Sequence, residues 1–169
     1  MGRSSNPEIL VIGIGNAYRS DDGVGLVAAR RLKNQGSRSF RVLEHSGEGA
    51  DLMNCWEGVE TVILIDAVRS DAKPGTLHRW NASRGSLPAQ TFRGSSHAFS
   101  LVAAVELARV LRRLPQHLIV YGIEGRHFGA GTGLSSETEE AISDLVRRVL
   151  EEVAQILDRL PEEIAQEPH

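Results

Sequence analysis

A single cysteine, Cys55, leaves a chain of 169 residues with no partner for an internal disulfide. That composition suits a reducing compartment. Excess positive charge is also missing: the formal net charge is −3, which gives no electrostatic case for nucleic acid. No apolar run approaches the roughly 18–20 residues that span a bilayer. The opening MGRSSNPE lacks the apolar stretch of an export signal, so the expectation is a cytoplasmic protein. Repeats and low-complexity tracts are absent as well, and the expectation is one domain over residues 1–169, with 1–7 and 161–169 flexible. Cys55 itself, in DLMNCWEG, reads as a small buried residue on the inner face of a helix.

What the sequence does contain is a stretch around which the chain is organised, ILVIGIGNAYRSDDGVG, from Ile9 to Gly25. Its apolar, β-branched start reads as a buried parallel strand. Gly13 and Gly15 permit a tight exit, and Ser20 is placed to cap a helix that begins near Asp21. Acids in a first helical turn complement the helix dipole. The unit would deliver Asp21 and Asp22 to the carboxyl edge of a sheet, where open α/β sheets bind ligands.

A helix follows from Asp22 to Gln35, then a strand from Phe40 to Glu44, and a short helix from Ala50 to Glu57. Thr61 to Ile65 is the purest β run and ends at Asp66. A weaker strand, Thr76 to Trp80, precedes an aperiodic loop that reaches Ser96. The remaining elements are a helix from Ala98 to Leu114 (Leu101, Val105, Ala108 and Leu111 inward) and a strand from Leu118 to Ile123. A capping box at Ser136-Glu137-Thr138-Glu139 then opens a helix through Leu157. This alternation predicts a three-layer α/β/α sandwich around a five-stranded, mostly parallel sheet; the long loop to Ser96 makes sense if Thr76 to Trp80 runs antiparallel at the sheet margin.

Topology then brings three polar residues to one rim. Asp22 follows the first strand, Asp66 ends the third, and His97 opens the helix that must descend before a parallel last strand. Two carboxylates and an imidazole suit a borderline divalent cation with open positions. Asn16, Asp21, Glu48 and His127 could line the same cleft, although each also reads as an ordinary turn, cap or loop residue.

Together, GIGNAYRSDDGVG, the LIDAV strand with Asp66, SSHAFSLVAAVELARVL with His97, and GIEG followed by GLSSETEEAI resemble the hydrogenase maturation endopeptidases. The resemblance spans Ile9 to about Val153 in the same order. It implies the same sandwich with one antiparallel edge strand, and removal of a C-terminal extension from the precursor of a nickel-iron hydrogenase large subunit, after nickel insertion. Nickel would arrive with the substrate, and no organic cofactor is implied. Asp22, Asp66 and His97 correspond to the family's metal-contacting positions and would be the catalytic centre. Two departures bear on which precursor is accepted: His45-Ser46-Gly47-Glu48 replaces a glycine-threonine turn, and Gly125 stands where proline is common.

Three other readings compete. A receiver-like phospho-acceptor domain also pairs early acids with an aspartate ending strand three, but LIVYGIEGRH lacks its phosphate-holding lysine. A non-catalytic, metal-sensing maturation chaperone would use the same cleft without cleavage. A dinucleotide-binding module is weaker, because Tyr18 occupies the third glycine position of the fingerprint.

Overall fold

A computed structural model describes residues 8–92 and 101–164. Five strands form one sheet in the order β2-β1-β3-β5-β4: β1 (Ile9–Ile14), β2 (Arg41–His45), β3 (Thr61–Val68), β4 (Leu77–Asn81) and β5 (His117–Glu124). All neighbours pair parallel except β4, which runs antiparallel to β5 at the sheet margin. Among the described residues, four helices cover the faces: α1 (Val24–Asn34), α2 (Gly49–Cys55), α3 (Leu101–Val110) and α4 (Ser136–Ile164). This is the expected three-layer sandwich.

The period-2 geometry of a strand sends alternate side chains to opposite faces, and β1 and β3 are apolar on both. Leu10, Ile12, Val62 and Leu64 pack with Leu52, Trp56, Ala104 and Val105 of the α2/α3 layer. Ile9, Val11, Ile63 and Ile65 pack with Val24, Leu32, Leu145 and Val149 of the α1/α4 layer. Burial on both faces explains why these strands read as unbroken apolar runs. Helix α1 sits unusually close to the sheet: a Cβ at Gly25 would overlap the carbonyl oxygens of Ile14 and Ile65. Among the described residues no helix is long and apolar enough to cross a membrane.

Several boundaries differ from the sequence reading. A 3-10 turn, Ser20–Gly23, precedes α1, so Asp22 lies ahead of the helix and not inside it. Strand β3 continues past Ile65, because β5 keeps pairing with it through Asp66↔Gly122 and Val68↔Glu124. Helix α3 ends at Val110, with Arg112 at φ +56°, so Leu111 is half exposed rather than inward. Helix α4 is preceded by Ser135, whose carbonyl takes the Glu139 amide at 2.9 Å. Ser136 is the first helical residue and not the cap, and the helix outlasts Leu157.

Candidate active site

Strand β1 stops pairing one residue short of Asp66: its last partner on β3 is Ile65, opposite Gly13. From there the chain peels away and folds back on itself. Gly15 donates to the His45 carbonyl at 3.1 Å, and Asn16 donates to the Asp22 carbonyl at 3.2 Å. A Cβ at Gly15 would overlap that same Asp22 carbonyl, so only glycine lets the loop close. Asn16 Oδ1 accepts the Tyr18 amide at 2.9 Å and tightens the turn. The 3-10 turn carrying the two acids is thereby laid against β3.

The acids then face different partners. Asp21 is fully buried, with both oxygens occupied by the loop that leads from β5 to α4. Oδ1 accepts the Ser135 amide at 2.7 Å. Oδ2 accepts the amides of Arg126 and His127 at 2.8 and 3.0 Å and the Ser135 hydroxyl at 2.8 Å. Burial alone would raise its pKa, but the Ser135, His127 and Arg126 amides and the Ser135 hydroxyl together hold it below the ordinary value. Neighbours reinforce the seam. Arg19 grips the Phe128 carbonyl, and Ser20 Oγ donates to the Gly129 carbonyl at 3.0 Å. Ser20 therefore caps no helix; its φ of +53° turns its hydroxyl to the loop instead.

Asp22 and Asp66 form the opposite environment, at 1% and 2% exposure. Asp66 stands inside β3, on the face shared with Leu64 and Val68, and its Oδ1 accepts the Ala67 amide at 2.8 Å. Burial first, and then the nearby charge of Asp22, push the Asp66 carboxyl well above the usual range. Two acids 44 residues apart in the chain are thus brought close enough to repel each other in a dry setting. His97 lies outside the described residues. Glu48 is exposed just before α2, and His127 is exposed with its ring against Gly129. Neither is buried with the acid pair.

The sequence reading missed a further acid. Glu124 is buried at the end of β5, where it accepts the Ser70 amide at 2.7 Å and the Ser70 hydroxyl at 2.8 Å. His78 stands 3.2 Å away. An acid closing an otherwise apolar strand, LIVYGIE, was the available signal. It ties the β3–β4 turn to the same rim.

Residues 27–152 match the sequence profile of the hydrogenase maturation protease family. The chain belongs to that family. Its members are peptidases, so the protein is a hydrolase. The matched span includes Asp66 and begins after Asp21 and Asp22. Among curated proteins, the hydrogenase expression/formation protein HupD of Thiocapsa roseopersicina is 28% identical over 154 residues, covering 89% of this chain and 70% of HupD. Among solved structures, the hydrogenase maturating endopeptidase HybD of E. coli superposes with a TM-score of 0.72 at 21% identity, over 88% of this chain and 93% of that one. The [NiFe] hydrogenase maturation protease HybD of Thermococcus kodakarensis gives 0.67 at 24% identity, over 86% and 99%. These two likenesses concern the fold. The hydrogenase maturation protease assignment leaves the receiver-like alternative without support.

Proposed function

We propose that this protease removes the C-terminal extension of a nickel-iron hydrogenase large-subunit precursor in the cytoplasm. It would act once nickel has been inserted, with the nickel of the substrate as its anchor. The observation that carries the reading is the meeting of Asp22 and Asp66, two buried carboxylates delivered from distant parts of the chain to one rim. In a low-dielectric site two like charges repel, and a divalent cation between them turns that repulsion into attraction. Oxygen donors from Asp22 and Asp66 with an imidazole nitrogen from His97 make a set suited to a borderline ion such as nickel. Asp66 stands on β3 and Asp22 on a loop bonded to itself, so the segments that carry these two acids are fixed before the substrate arrives.

The docked nickel would set the scissile bond beside the acids. Hydrolysis then needs a polarised carbonyl or an activated water, which the ion supplies, or proton abstraction by one carboxylate. Selectivity follows directly, because a precursor without nickel offers nothing for the acids to hold. The test is to incubate the purified protein with nickel-loaded and nickel-free precursor. Cleavage of the loaded form alone, abolished in His97→Ala, is expected. Equal cleavage of both forms, or full activity in His97→Ala, would overturn the reading.

A further inference from the structure

A second group of ligand-type side chains lies on the same rim, on the far side of β1. His45 closes β2, and Asp51 and Cys55 stand four residues apart on α2, hence on one face of that helix. One ligand atom from each of the three lies within 4.8 Å of the other two. His45 Nε2 is 3.0 Å from Asp51 Oδ2, and His45 Nδ1 accepts the Gly47 amide at 2.8 Å. The His45 side chain is 7% exposed and that of Asp51 is 69% exposed, so the group has a fixed floor and an open mouth.

The hydrogen bonds of His45 decide between two uses of a Cys-His-Asp group, and the thiol agrees with them. Burial first, and then the Asp51 carboxylate, push the Cys55 thiol above its ordinary value. A reactive nucleophile needs the reverse, a thiol whose proton is easily lost. On the histidine, the Gly47 amide occupies the Nδ1 lone pair and leaves the ring proton on Nε2, toward Asp51. His45 is therefore not set to take the thiol proton as a general base. Coordination remains, since a cation draws the thiolate out by binding it.

We propose that His45, Asp51 and Cys55 form a second, thiolate-bearing site for a borderline divalent cation of the zinc, cobalt and nickel class, with a position open to solvent. Nitrogen, oxygen and sulfur from three side chains are the donor set such ions take when a further position is left free. Donors around a tetrahedral centre lie about 3.3–3.8 Å apart, given bonds of about 2.0–2.3 Å. Closing the group onto an ion therefore takes movements of about 1 Å, which the exposed Asp51 side chain can make. On loading, the sulfur lone pair goes to the cation and the thiol proton leaves to solvent. The imidazole enters neutral: its proton passes through solvent from Nε2 to Nδ1, which gives up the hydrogen bond from the Gly47 amide, and the freed Nε2 lone pair goes to the cation. The proposal is independent of the nickel reading above, whose site offers no sulfur.

Cadmium is the probe, because thiolate-to-cadmium charge transfer gives an ultraviolet band, and Cys55 is the only cysteine in the sequence. The full chain titrated with cadmium should develop this band and saturate at one ion per chain. Cys55→Ser should abolish the band while the circular dichroism stays unchanged. His45→Gln and Asp51→Asn should each weaken cadmium binding by about tenfold or more. Asp66→Asn should leave band and affinity as they were. Absence of the band at saturation, an unchanged affinity in His45→Gln, or loss of the band in Asp66→Asn would each overturn the proposal.

Discussion

Asp21 and Asp22 share a peptide bond and the same depth of burial, yet they face different halves of the molecule. Asp21 meets four donors from the loop before α4 and is held ionised. Asp22 meets Asp66, and the two charges disfavour each other. Burial therefore says little about a carboxylate until its neighbours are counted. The first acid stabilises the loop before α4, and the second raises the pKa of a buried neighbour on β3. Real proteins break local consistency of this kind at functional sites.

The comparison can be broken most forcefully on the strained side. Asp22→Asn and Asp66→Asn are each expected to lower precursor cleavage by about a thousandfold or more, as measured by the rate of the mobility shift of the precursor. The next largest effect falls on the turn that orients both acids. Gly15→Ala drives a methyl into the Asp22 carbonyl and should cost about 3 kcal/mol in urea unfolding. On the satisfied side, Asp21→Asn places an amide NH₂ against donors and should cost about 2 kcal/mol. Because the folded Asp21 pKa lies below its ordinary 3.8, its contribution is present above about pH 4 and is lost as the pH falls through the folded value. The Asn variant should lose that acid-limb dependence.

The smallest effect has the opposite sign. The Asp66 pKa is raised, so this group favours the folded state below its unfolded value, and that advantage is withdrawn as the pH rises through the folded one. Asp66→Asn keeps the oxygen that accepts the Ala67 amide and removes the charge. It should therefore be about 1 kcal/mol more stable at neutral pH, even though inactive. A variant that loses both activity and stability would place Asp66 on the same footing as Asp21.

Much of this was legible in the order of residues. The unbroken apolar runs of β1 and β3 marked strands covered on both faces, and their alternation with helices implied the layers, while the antiparallel margin rested on the long loop after β4 and on the family resemblance. The meeting of Asp22 with Asp66 followed from that topology. What escaped was anything set by partners far along the chain. The donors to Asp21 lie 105 to 114 residues away, so nothing local distinguished it from Asp22 or showed that Ser20 would serve Gly129 instead of a helix. The length of β3 was missed because the ladder with β5, not β-propensity, carries it past Asp66. Cys55 read singly as a small buried residue and was not joined to His45 or Asp51. The clue was the four-residue spacing of Asp51 and Cys55 on a helix that starts just beyond His45.

Strand β1 is two residues shorter than β3, and beyond their last shared pair, Gly13 with Ile65, the chain leaves the sheet as the loop that carries Asp22. A junction of that origin belongs to no single element and is not carved from the packed layers. Its width is free to change through the number of residues between Gly15 and Asp22, while the sheet beneath stays as it is. Relatives that process differently shaped substrates could therefore diverge in that short span alone, with β3 serving as an unchanging anvil.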